Sequence, residues 1–173
     1  MSSLPRRDFI KRSLALGATT LAAGSGSRLF AGDPVPSSGA APADHLTAYQ
    51  VGPHIWIRDH NELLTSYRAH PTQKYPYFYP LTGPTSKRSL TTETSQPWPH
   101  HRSLLFACDK VNGGNYWQGT LPQGRILSQD ARLGECTPDS AEILDTCLWK
   151  RDGEDPVIED TRRFLITLPE SQP

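Results

Sequence analysis

The stretch Pro97-Trp98-Pro99-His100-His101-Arg102 sets two imidazoles beside a permanent cation in a chain whose formal charge is zero. Imidazole transfers protons near neutral pH and is also a frequent metal ligand, so the pair admits both chemistries. Adjacent residues on an extended strand point to opposite faces, so both histidines can line one cleft only if the backbone loops there. A shared metal would need a third ligand from afar. His45, His54, His60 and His70 are the candidates, and none stands at diagnostic spacing. No cofactor is therefore predicted, and a metal remains the lesser reading.

The fuller reading is a polar site for a hydroxylated or anionic small molecule. Arg102 and Arg88 can fork onto carboxylate or hydroxyl oxygens, and Glu93 or Asp109 can serve as base or acceptor opposite His100 or His101. Trp98, Trp117 and Tyr79 offer flat faces to a sugar ring. The bland alternative is a histidine hydrogen-bonded in the core with Arg102 paired to a structural carboxylate. Trp117 and Trp149 sit among apolar neighbours, as core residues do.

The elements that must position these residues read as β-structure. Ala48–Val51, His54–Arg58 and Leu63–Arg68 are short aromatic and branched runs, with turn chemistry at Asp59-His60-Asn61. Residues 102–111 and 115–119 flank Asn112-Gly113-Gly114, whose Asn-Gly step favours a tight hairpin turn. Further strands are expected over 125–129, 141–149 and 157–168. No segment holds a helical period.

The middle, Pro71 to Pro99, carries six prolines and cannot be a central strand for long, because proline lacks a ladder donor. Within it, Tyr75-Pro76-Tyr77-Phe78-Tyr79 is an aromatic patch on extended backbone. Exposed, it is a stacking platform for a sugar or peptide; buried, it caps one end of a sandwich. Lys150-Arg151-Asp152-Gly153-Glu154-Asp155 reads as a solvated, charged turn.

The 173 residues divide into a leader over 1–43 and one domain over 44–173. Arg6-Arg7-Asp8-Phe9-Ile10-Lys11 matches the twin-arginine export signature, ahead of an apolar run from Leu14 to Ala23. That run is too short and polar for the roughly twenty-residue span of a membrane anchor. The expected partner is the twin-arginine translocase, with a periplasmic or secreted product and no stable membrane insertion after cleavage. Cleavage is expected after Ala41-Pro42-Ala43 or earlier, at Ala31. Acidic and basic residues number 18 each, which argues against a nucleic-acid partner, since such binding draws on clustered cations. Of Cys108, Cys136 and Cys147, the last two are the closest in sequence for a single disulfide; otherwise all three are small buried apolar residues.

Tyr77-Phe78-Tyr79-Pro80-Leu81, Gly83-Pro84, Pro99-His100-His101-Arg102-Ser103-Leu104, Val111-Asn112-Gly113 and Tyr116-Trp117 together resemble the bacterial "methane oxygenase PmoA"-like family. The likeness covers 76–118 firmly and 124–167 more loosely, through Ile126-Leu127-Ser128-Gln129, Cys147-Leu148-Trp149 and Arg162-Arg163. It implies an exported antiparallel β-sandwich akin to sugar mutarotases, of unsettled function, and a metal-dependent oxygenase only if the family's label is taken at its word. A membrane-embedded oxygenase subunit needs spans that this chain does not carry. Many relatives have Asp-His-Pro-His-His-Arg-Gly, where this chain has Pro97, Trp98 and Ser103 in place of the Asp, the first His and the Gly. His100, His101 and Arg102 are what carries over. Relatives also continue past the point where this sequence stops, so the resemblance implies a C-terminally truncated member and an incomplete sandwich.

Overall fold

The computed structural model describes residues 44–83 and 85–168. The leader, its twin-arginine motif and both cleavage positions lie outside the described residues. Two antiparallel sheets account for the domain. In the first, β1 (Leu46–Val51), β2 (His54–Asp59), β3 (Glu62–Arg68), β4 (Tyr77–Leu81) and β5 (Leu104–Leu105) follow one another in chain order. The second is built on β8 (Ser140–Lys150). β9 (Ile158–Thr167) pairs along one of its sides, and β6 (Arg125–Ser128) and β7 (Arg132–Cys136) share the other.

The β2–β3 hairpin closes as its sequence suggests. His60 and Asn61 are its two loop residues, with φ of 50° and 65°, the left-handed pair that matches strand twist. β8 alternates without a break: Ala141, Ile143, Asp145, Cys147 and Trp149 are buried and their neighbours half-exposed. Period-two alternation of this kind leaves one face for a core. Ile55, Ile57, Tyr67 and Phe78 of the first sheet meet Ala141 and Ile143 of the second, and Tyr75, Tyr77, Tyr116, Ile126, Cys147 and Trp149 form an adjoining cluster.

The structure departs from the expectations, or decides between them, at four places. The strands expected over 102–111 and 115–119 do not form a hairpin: only Leu104–Leu105 is strand, and the Asn112-Gly113 turn is closed by a single Val111–Gly114 bridge. The flanking amides bond elsewhere, Tyr116 N–H to the Cys108 carbonyl (2.9 Å) and Asn115 N–H to that of Gln123 (2.9 Å). Second, of the two readings of the aromatic patch the buried one holds, since Tyr75, Tyr77 and Phe78 are buried, and a short interior strand forms there despite Pro80. The pairing register shifts between Thr65 and Tyr67, so that β4 bulges by one residue beside that proline. Third, β7 was not anticipated, because Arg132-Leu133-Gly134-Glu135-Cys136 has little apolar content; its pairing to β8 is what makes it a strand. Fourth, all three cysteines are free, with Cys136 and Cys108 exposed and only Cys147 buried.

A polar cluster crosses the core. Asp145, 1% exposed, accepts hydrogen bonds from Tyr67 Oη (2.7 Å), Ser128 Oγ (2.8 Å) and the Cys147 thiol (3.3 Å). Burial and the Asp145 carboxylate push the Tyr67 phenol far up, so it stays a donor. On β9, Arg162 holds Asp160 through Nε (2.6 Å) and Nη2 (2.9 Å), and Trp149 Nε1 donates to the same carboxylate (2.5 Å). Burial opposes ionisation of Asp160, yet these donors prevail and hold its pKa below the usual aspartate value.

Candidate functional site

The chain turns at the proline-rich cluster. The His101 amide donates to the Trp98 carbonyl (2.9 Å), the Ser103 amide to the Thr92 carbonyl (3.1 Å), and the buried Tyr75 hydroxyl to the His100 carbonyl (2.7 Å). Three anchors of this kind fix a loop that proline alone would only stiffen. Looped backbone lets both histidines face one way. Their ring centroids lie 4.6 Å apart, edge to face, and both pack on Trp117: His101 parallel to it at 5.6 Å and 3°, His100 at 5.3 Å and 85°. Trp98, 57% exposed, stands beside them, 6.0 Å from His100 and 6.3 Å from His101.

Behind this aromatic group runs a charged relay from β3 and β4. Arg68 Nη1 binds Glu93 (2.5 Å), Tyr77 Oη donates to the same Glu93 oxygen (2.7 Å), and Arg102 Nη1 donates to Tyr77 Oη (2.9 Å). Arg102 also lies over the Tyr77 ring at 4.9 Å, and Arg68 over the Tyr79 ring at 5.0 Å. The Tyr77 hydrogen bond, reinforced by Arg68 and Arg102, holds the Glu93 carboxyl below its ordinary range against the opposing effect of burial. Burial first, then the Glu93 bond, raises the Tyr77 phenol, which therefore stays protonated and serves as donor to Glu93 and acceptor from Arg102. Arg102 has no carboxylate within 4.0 Å among the described residues, so its remaining N–H groups are left for an outside acceptor.

Together His101, Arg102, Leu105, Phe106, Ala107 and Trp117 line a cleft of about 510 Å³. It has a flat aromatic side, an apolar side and a guanidinium. The structure thus gathers His100, His101, Arg102, Glu93, Trp98, Trp117 and Tyr79 into one neighbourhood. Asp109 belongs elsewhere, in a polar cleft of about 580 Å³ with Lys110, Asn115, Gln123, Arg151 and Glu154. Arg88 is exposed on the turn after β4, and no side-chain hydrogen bond ties it to the cluster. Among the described residues, no hydrogen bond joins either His100 or His101 to a carboxylate, and no three His, Cys, Asp or Glu side chains converge as a metal site would require. Arg68 is the participant that the sequence did not single out, and Tyr77 stood out only as part of the aromatic patch. Arg68 closes a strand whose preceding residue, Tyr67, points into the core, so alternation alone could have placed it on the other face.

The relay has a consequence in acid. Because the native pKa of Glu93 lies below the ordinary value of 4.5, its contribution to stability is complete above that value and disappears as pH falls through the lowered native pKa. Glu93→Gln is expected to reduce stability at pH 7 by no more than about 1 kcal/mol, the group being partly exposed, and to reduce it by less at pH 3. Urea titrations of both proteins at the two pH values measure this; equal losses at both would contradict it.

No curated protein and no solved structure matches the chain. A family model described as "Family of unknown function (DUF6807)" matches residues 54–172, which take in every strand except β1 and the whole aromatic cleft, and the chain belongs to that family.

Proposed function

We propose that this chain is an exported carbohydrate-binding protein whose ligand lies in the cleft between Trp117 and Arg102. The observation that carries the reading is the His101–Trp117 stack, parallel to within 3°, beside a guanidinium that has no carboxylate partner among the described residues. A flat aromatic face takes the apolar side of a pyranose ring, and a guanidinium takes its oxygens. Trp98 extends the surface outward. Binding without turnover is favoured because acid/base work at a sugar carbon needs a second group opposite the histidine, whereas Glu93 is engaged by Arg68 and Tyr77. Export is supported by the twin arginines, Arg6 and Arg7, with Phe9 and Lys11 following.

Calorimetric titration of the full chain with a panel of neutral and acidic oligosaccharides, with parallel assay for new reducing ends, tests the proposal. The expected result is saturable binding to at least one class with no product. Absence of binding across the panel would overturn the reading. Product formation that His100→Ala or His101→Ala abolishes would replace binding with catalysis.

A further inference from the structure

β9 is the outer strand of its sheet. Along one side it pairs with β8 over ten residues, and among the described residues no strand pairs along the other. A free edge of that length presents a row of unpaired backbone groups and is a template for another strand. β9 has no proline, and its charges, Glu159 and Arg163 outward and Asp160 and Arg162 inward, exclude any partner strand that does not match them. Beside it, Phe78, Leu81, Leu104, Phe164 and Ile166 line an apolar cleft of about 530 Å³ between the two sheets, and Leu104 and Leu165 are 51% and 55% exposed.

The sequence of β9 specifies what fits this edge. Its even-numbered residues, Ile158 to Ile166, face the core, and Glu159, Thr161, Arg163, Leu165 and Thr167 face outward. Two copies joined edge to edge by a two-fold axis perpendicular to the sheet keep their core faces on the same side. Residues equally spaced before and after the axis residue then stand opposite each other. With the axis on Thr161, Glu159 opposes Arg163, Asp160 opposes Arg162, Ile158 opposes Phe164 and Val157 opposes Leu165, each pair occurring twice. All four charged residues of the strand meet an opposite charge, and apolar residues meet apolar ones. Centring on Glu159, Asp160, Arg162 or Arg163 puts a charge against its own copy, which destabilises a strand pair. Centring on Phe164 faces both arginines with Leu165 and Ile166.

We infer that a second copy of this chain docks on β9, in antiparallel register with the two-fold axis at Thr161, giving a continuous sheet across the dimer. The contact is a strand edge flanked by Leu165, small by the standard of permanent interfaces, so association is concentration-dependent.

Sedimentation velocity of the full chain over a concentration series tests this, with charge reversal as the discriminating step. Glu159→Arg and Arg163→Glu should each weaken dimerisation by about tenfold or more, since each places two like-charged pairs across the axis. The double variant should restore it, because reversal of both preserves complementarity. Arg163 also binds Glu142 on β8, so loss of folding is a hazard for Arg163→Glu but does not explain recovery in the double variant. A second readout is independent of that pair. With exposed Cys108 and Cys136 changed to Ser, Thr161→Cys should form a covalent dimer under mild oxidation, its two Cβ atoms facing across the axis, and Thr167→Cys should not. A chain that is monomeric at all concentrations, a double variant that stays monomeric, or equal cross-linking at 161 and 167 would overturn the inference.

Discussion

Arg162→Ala is expected to lower the unfolding free energy by about 2–3 kcal/mol, because it leaves the half-buried Asp160 carboxylate without its guanidinium. Arg162 is 7% exposed and supplies two of the three hydrogen bonds that Asp160 accepts. For a domain of this size the loss corresponds to a fall of about 7–12 °C in Tm. The magnitude comes less from the worth of the ion pair than from the cost of an uncompensated, half-buried charge. Accordingly, Arg162→Met combined with Asp160→Asn should recover much of the loss: the charge is gone, and the amide oxygen still accepts from Trp149. Guanidinium denaturation of the two variants against the parent decides the matter. A double variant as unstable as Arg162→Ala would mean that packing against Phe106, which lies 5.6 Å from the guanidinium carbon, outweighs charge compensation.

The pH dependence of the same pair has a definite sign. Asp160 has its native pKa below the ordinary aspartate value of 3.8, so its stabilisation is complete above that value and is lost as pH falls through the lowered pKa. In the double variant this part of the acid limb should be absent.

Trp117→Ala is expected to weaken carbohydrate binding by about 30-fold or more, equivalent to about 2 kcal/mol, the scale of an aromatic anchor at the centre of a contact. The indole supports both histidine rings and forms a wall of the cleft, so its removal takes away the stacking face and the order of its neighbours together. Trp117→Phe keeps a planar face and should retain most of the affinity. Trp98→Ala should cost less, since Trp98 is 57% exposed and stands at the margin. Titration calorimetry with the ligand found for the parent chain measures all three. An affinity unchanged in Trp117→Ala would place the ligand elsewhere, and the polar cleft of Asp109 and Arg151 would become the next site to test.

The β2–β3 hairpin and the strands β8 and β9 were legible because their causes are local. Alternating side chains in β8 and β9, and the Asp59-His60-Asn61 turn, act over two to four residues, and the fold preserves them. The candidate site was legible in part, as residue types: His100, His101, Arg102, Trp98 and Trp117 were all singled out from the chain. Their arrangement was not. Whether two adjacent histidines diverge or converge depends on a loop held by Thr92, Tyr75 and Trp98, and on an indole 16 residues beyond His101 in sequence. Glu93 was legible as a carboxylate, but its capture by Arg68 and Tyr77 is a contact between β3, β4 and a loop. That contact turns an expected base into a supporting ion.

Composition and alternation by themselves determined an all-β chain of antiparallel strands with a polar, aromatic cluster near residue 100. Only the tertiary structure decided that Tyr75, Tyr77 and Phe78 are buried, that Arg132–Cys136 becomes a strand, and that Asp145 and Arg162 lie in the core. The physical reason is range. A strand's period and a turn's φ angles are fixed by neighbours in sequence, whereas burial and charge pairing are fixed by whichever distant segment packs across the sheet.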